Sequence, residues 1–168
     1  NSNAGIAWTM YYGTVSTNAV LTGSQSAQMR WYSSAKSNYP YIKTTTAVSG
    51  LQTLTFNAAV GNTNIKMKVE KSTDGSNWTT VASNVAMATA KTEYSYSISG
   101  TLGTDYYIRI GVDGTNSTAP STGNYTFRVD DVKFDYQTGG GSTTYYISEA
   151  NCCTPLGSVN GLVSMGST

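Results

Sequence analysis

The run from Ile65 to Val81 constrains the fold more than any other part of this chain. Ile65, Met67 and Val69 alternate with Lys66, Lys68 and Glu70. A period of two describes a strand with one face on a core and the other in water. Ser72-Thr73-Asp74-Gly75-Ser76-Asn77 follows, and then Trp78-Thr79-Thr80-Val81. The Asp-Gly pair supplies the positive φ that a chain reversal needs, so the two runs read as a β-hairpin.

The same grammar recurs along the chain. Ala27, Met29 and Trp31 alternate with Gln28, Arg30 and Tyr32; Leu54, Phe56, Ala58 and Val60 form another apolar phase, closed by Gly61-Asn62. Tyr94, Tyr96 and Ile98 alternate with serines, and Tyr106, Ile108, Ile110 and Val112 alternate with Tyr107, Arg109 and Gly111. With the weaker runs Ile6–Tyr12 and Tyr41–Thr45, the pattern predicts about eight or nine strands at sandwich spacing. Asn84–Lys91 is Ala-rich but short and uncapped, and is expected as an irregular edge. The last run, Tyr125 to Tyr136, changes phase: Tyr125, Phe127 and Val129 are odd, whereas Val132, Phe134 and Tyr136 are even. Keeping both sets inside requires one extra residue, a β-bulge at Asp130-Asp131. The expected class is an all-β, antiparallel jelly-roll β-sandwich whose core includes Phe56, Met67, Val69, Trp78, Ile108, Ile110, Phe127 and Phe134.

A chain of 168 residues fits one domain. At this size a core forms without disulfide or metal, because roughly 70% of the unfolded surface is buried. Ten basic and nine acidic residues leave a net charge of +1 with no basic cluster. The electrostatic drive for nucleic-acid binding is therefore missing. No apolar run approaches the ~20 residues needed to span a bilayer, so no membrane insertion is expected. Because the chain begins at Asn1 and not Met, it reads as processed or excised from something longer. Three N-x-S/T sequons, at Asn77, Asn116 and Asn124, are what a Ser- and Thr-rich composition produces by chance.

Composition shifts after Tyr136. Residues 1–136 read as the sandwich, and 137–144 (Gln-Thr-Gly-Gly-Gly-Ser-Thr-Thr) as a flexible linker. Residues 145–168 are too few and too polar to fold alone, and are expected as an extended tail or the start of a following domain. Tyr145, Tyr146, Ile147, Leu162 and Val163 suit short strands that add to an open sheet edge, on the domain itself or on a neighbouring copy. Cys152 and Cys153 are adjacent, and a bridge between neighbours is strained. Both are thiols, or they form that vicinal bridge, or one or both pair with another chain. These seven residues are the candidates for assembly.

The stretch from Thr22 to Tyr136 resembles the jelly-roll modules of secreted multidomain proteins of Bacteroidota, which are similar to carbohydrate-binding modules. The residues that carry the resemblance include Thr22-Gly23-Ser24-Gln25-Ser26, Leu54-Thr55-Phe56-Asn57-Ala58, Ser72-Thr73-Asp74-Gly75-Ser76-Asn77-Trp78, Tyr107-Ile108-Arg109-Ile110 and Val129-Asp130-Asp131-Val132. The resemblance implies an accessory binding or spacer module, and a structural ion near the last strand. It matches no catalytic signature.

Residue chemistry points the same way. The chain contains no His, so imidazole-activated nucleophiles and imidazole metal sites are excluded. Asp74 and Asp113 are expected in turns, which leaves no evident carboxylate pair for glycoside hydrolysis. Asp130 and Asp131 on a bulge, near loop carbonyls, suit a structural calcium; the alternative is a solvated bend. Tyr32 and Tyr107 fall on the outward phase beside Arg30 and Arg109. An aromatic face with a nearby guanidinium can stack on a sugar and hydrogen-bond its hydroxyls, so these four are the candidate ligand residues. The reading is a secreted, extracellular or cell-surface, non-catalytic binding or adhesion module, with a glycan favoured as ligand. The alternative is a structural subunit or spacer of an extracellular fibre or surface array, a homo-oligomer or filament joined to a neighbouring protein chain through its tail.

Overall fold

A computed structural model describes residues 6–138, 141–147, 161–162 and 165–167. In chain order the strands are β1 (Ala7–Tyr11), β2 (Gly13–Ser16), β3 (Ser26–Tyr32), β4 (Tyr41–Thr44), β5 (Val48–Ser49), β6 (Leu51–Val60) and β7 (Lys66–Ser72). They continue with β8 (Thr79–Ala86), β9 (Thr92–Ser97), β10 (Asp105–Val112), β11 (Asn124–Thr138), β12 (Gly141–Ile147), β13 (Gly161–Leu162) and β14 (Met165–Ser167). One 3₁₀ turn, Ser33–Ala35, is the only helical element among the described residues. The chain is an all-β sandwich. Each of the nine runs expected from alternation is a strand; the additions are the short β2 and β5 and the three strands of the tail.

The first sheet runs β13-β1-β4-β10-β7-β8, with β5 also on β10. The second runs β14-β12-β11-β3-β2, with β6 paired to β11 and β9 to β6. Every pairing is antiparallel. Long β11 makes this economical: residues 124–129 pair with β3, 127–136 with β6 and 133–138 with β12. The chain passes from the first sheet to the second at Tyr12, a non-glycine residue held at φ 54 between β1 and β2.

The inward faces meet in one apolar cluster. Trp8, Met29, Trp31, Phe56, Met67, Val69, Ile108, Ile110, Phe127 and Phe134 are all at most 1% exposed. Trp8 from the first sheet stacks on Phe134 from the second, with ring centroids 5.8 Å apart. Each such side chain contributes about 1.5–3 kcal/mol through burial. Trp78 is the exception to the expected core. It is only partly buried and lies on the outer face of the first sheet. The register explains the difference: Glu70 pairs with Thr80 and Lys71 with Thr79, so Trp78 extends the outward phase of β7 and β8. Tyr94 stacks on Phe56 and Tyr96 packs tilted against it; both are partly buried, at the core's margin and not inside it.

The β7–β8 hairpin forms as its sequence predicts, with Gly75 at φ +74. Asp74 accepts hydrogen bonds from the Ser76 and Asn77 amides, which closes a six-residue loop between Ser72 and Thr79. The bulge also forms where the phase breaks. The β11–β6 register shifts between Asp130 and Lys133, and Asp131 takes φ 49.

Part of the Gly/Ser/Thr segment lies in strands. Gln137 and Thr138 continue β11, and residues 141–144 belong to β12, with Thr138 opposite Gly141 and Gln137 opposite Ser142. Polar composition does not keep these residues out of a sheet once a paired strand offers them backbone partners. Tyr145, Tyr146 and Ile147 pair with β11 or β14, and Leu162 pairs with Ala7 of β1. The described part of the tail thus adds strands to its own domain, at the edges of both sheets. Cys152, Cys153 and Val163 lie outside the described residues.

Candidate functional site

The outer face of the first sheet gathers residues that β1, β4, β10, β7 and β8 turn away from the core. Their cross-strand register sets two parallel rows. One runs Tyr11, Tyr41, Gly111, Lys68; the next runs Thr9, Lys43, Arg109, Glu70, Thr80. Side chains at such positions touch directly across the sheet.

Arg109 is the centre of this face. Its guanidinium lies 4.3 Å from the Trp78 ring and 5.3 Å from the Tyr41 ring. Tyr41 in turn stacks on Tyr11 at 5.3 Å and 19°. Lys43 approaches the Trp78 ring at 5.9 Å. A planar cation against aromatic faces is favourable and fixes the orientation of both. Beneath it, Arg109 Nε and Nη2 both reach Glu70 Oε2 at 2.6 Å, and Lys68 Nζ reaches Oε1 at 2.9 Å. Glu70 is only 6% exposed, and the two cations offset the cost of burying its charge. Gly111 has a steric reason: a Cβ there would sit 2.6 Å from the Tyr41 Cβ and 2.7 Å from the Pro40 carbonyl oxygen. Its absence lets Tyr41 lie close to the sheet. The result is a depression of about 140 Å³ lined by Tyr39, Tyr41, Lys68, Glu70, Arg109 and their neighbours. It presents aromatic rings around a fixed group of charged hydrogen-bonding atoms.

The four ligand residues expected from alternation divide between the two sheets. Tyr107 and Arg109 are on the first. Tyr107 pairs with Ser72, beside the platform, and its ring packs against Gly75 of the hairpin loop. Arg30 and Tyr32 lie on the outer face of the second sheet, on the far side of the sandwich. Alternation identifies outward residues but not which sheet carries them. Tyr11, Tyr41, Trp78 and Glu70 were not among the sequence candidates. The signal for Tyr41 was present in its outward phase opposite Ile42, whereas nothing local marks Glu70 as a buried anion.

Asp130 and Asp131 sit at the bulge on the second sheet. Asp130 Oδ2 accepts from the Ser26 hydroxyl at 2.9 Å and the Thr22 amide at 3.1 Å, and Oδ1 accepts from the Asp131 amide. Ser26 Oγ itself accepts from the Leu21 amide, so the chain of bonds latches the loop before β3 onto the bulge. Asp131 accepts from the Asn57 side chain at 2.8 Å. Burial pushes the Asp130 carboxyl above the ordinary carboxylate range, with the neighbouring Asp131 charge acting in the same direction against these hydrogen bonds. Protons already face Asp130, which makes it a hydrogen-bond hub. Among the described residues, no group of three or more His, Cys, Asp or Glu lies together.

No protein-family model matches the chain, and no curated protein matches its sequence. Solved structures match the fold. A family 4 carbohydrate-binding module superposes with a TM-score of 0.51 at 16% identity, covering 77% of this chain and 94% of that one. A family 61 module in complex with β-1,4-galactotriose gives 0.51 at 11% identity, over 77% and 88%. A variant of a family 29 module complexed with mannohexaose also gives 0.51 at 11%, over 77% and 79%. At these identities the likeness is one of architecture, a jelly-roll sandwich.

Proposed function

We propose that the chain is a carbohydrate-binding module whose binding surface is the outer face of the first sheet. The observation that carries this reading is the Trp78–Arg109–Tyr41 stack anchored on buried Glu70. A sugar ring has an apolar C–H face and a rim of hydroxyls. Tyr11, Tyr41 and Trp78 offer flat apolar surface to the first, while Arg109, Lys43 and Lys68 offer donors to the second. Because Glu70 and the flanking rings hold the guanidinium in place, little side-chain freedom is lost on binding.

The fold shared with modules complexed to galactotriose and mannohexaose supports this class of ligand. A glycan ligand also fits a secreted or cell-surface setting, with the module non-catalytic and accessory to something larger. Glu70 is committed to two salt bridges, which suits it to positioning and not to acid–base work.

Calorimetric titration with galactotriose, mannohexaose and xylohexaose tests the proposal. At least one should bind, and Trp78→Ala should weaken it by about tenfold or more, the cost typical of an aromatic anchor, with the melting temperature little changed. If wild type binds none of the three, or Trp78→Ala binds as wild type does, the reading fails.

A further inference from the structure

The outer face of the second sheet holds a separate groove of about 340 Å³, lined by Tyr12, Gly13, Thr14, Gln28, Arg30 and Tyr32. Its floor is the β2–β3 pair, where Thr14 lies opposite Gln28. Its aromatic wall is Tyr12 against Tyr32, with ring centroids 6.0 Å apart and tilted by 56°. Asn38 fixes the Tyr12 hydroxyl through a 2.9 Å hydrogen bond.

Two cations, Arg30 in the groove and Arg128 beside its floor, come together here, and among the described residues no anion hydrogen-bonds to either. Arg30 is exposed and donates from Nε and Nη2 only to the neutral Gln28 side chain, at 3.4 and 3.2 Å. Arg128 stands directly across from Gln28 in the β3–β11 register. Its Nε is buried and has no hydrogen-bond partner. Burial lowers the Arg128 pKa, and the charge of Arg30 lowers it further, so the two guanidiniums repel one another. Glu70, which pairs with Arg109 and Lys68, lies on the opposite sheet. Asp130, two positions along β11, has its oxygens engaged by Ser26, Thr22 and Asp131. Adjacent like charges and an orphaned buried donor each cost stability, and a bound anion would relieve both.

We propose that this groove is a second binding site, specific for the carboxylate of an acidic sugar residue. Arg30 and Arg128 take the carboxylate through charge-assisted hydrogen bonds, Tyr12 and Tyr32 flank the sugar ring, and Gln28 and Thr14 meet its hydroxyls. The site is independent of the first-sheet platform, and the two can fail separately.

The test is titration of the full chain with trigalacturonate, with neutral galactotriose and with sodium sulfate. Trigalacturonate should bind more tightly than galactotriose, and more weakly as ionic strength rises. Arg30→Gln should weaken it by about tenfold, the scale of one charge-assisted contact, and Arg128→Gln should do likewise. Arg30 is exposed and its charge opposes Arg128, so its variant should melt no lower than wild type and keep the result interpretable. Trp78→Ala should leave trigalacturonate affinity unchanged. The proposal is overturned if trigalacturonate binds no better than galactotriose, or if Arg30→Gln stays within twofold of wild type. It is overturned equally if the acidic sugar is lost on Trp78→Ala, which places it on the first sheet, or if sulfate binds as tightly as trigalacturonate, which leaves a simple anion site.

Discussion

Replacing Arg109 by Met should destabilise the domain through Glu70 more than through Arg109 itself. Both guanidinium contacts to Glu70 Oε2, at 2.6 Å, disappear, while Met keeps most of the aliphatic packing. Glu70 keeps only Lys68, at 2.9 Å on its other oxygen. The Glu70 side chain is 8% exposed, so water replaces little of what is lost. A hydrogen bond to a charged group contributes about 1.5–3 kcal/mol, and the 23% exposure of Arg109 argues for the middle of that range. At roughly 2–4 °C per kcal/mol for a chain of this length, about 2 kcal/mol should lower the melting temperature by about 4–8 °C. The pair Glu70→Met and Arg109→Met separates the causes. If the cost is a stranded buried carboxylate, removing it restores part of the loss, and the double-variant cycle shows a coupling of about 1–2 kcal/mol. Thermal and urea unfolding at neutral pH, followed by tryptophan fluorescence, measure each term. A melting temperature for Arg109→Met within a degree of wild type would refute the argument, as would strictly additive single variants.

Asp113 should give a pH-dependent counterpart. Burial raises its carboxyl, but donors from Asn116, Asn84 and Thr115, with the charge of Lys68, outweigh that and hold it below the ordinary range. A depressed folded-state pKa stabilises the protein above the unfolded value of about 4 and is lost as pH falls through the folded value. Asp113→Asn should therefore cost about 1–3 kcal/mol at pH 7, with the gap to wild type closing below pH ~4 in parallel melts; a gap constant down to pH 3 would contradict this. The calcium expected at Asp130 and Asp131 has its own readout. If present, EDTA lowers the melting temperature and added calcium restores it, because an ion bound only to the native state stabilises it. An unchanged melting temperature leaves the hydrogen-bond latch as the whole role of these carboxylates.

The amino-acid sequence by itself determined the strands and their inward faces. Met67 against Lys68, or Ile108 against Arg109, is a choice between core and water that each residue makes locally, so period-two alternation reports it wherever it occurs. The bulge at Asp130-Asp131 was legible for the same reason, since a slip of phase has only one economical repair. Sheet membership is different in kind. Arg30 and Arg109 have the same outward character, yet pairing of β3 with β11 and of β10 with β4 and β7 sends them to opposite sides of the sandwich. Trp78 reads as core by its chemistry, and only the β7–β8 register turns it outward onto Arg109. Glu70 reads as a solvated charge, and becomes a buried anchor only because Arg109 and Lys68 arrive on neighbouring positions of the assembled sheet. Gln137 and Thr138 read as the start of a linker, and only the pairing of β11 with β12 gives their backbone partners. Burial is decided residue by residue, whereas proximity across strands depends on long-range pairing. The core could therefore be read from the chain, while the proposed binding face existed only once the sheets had formed.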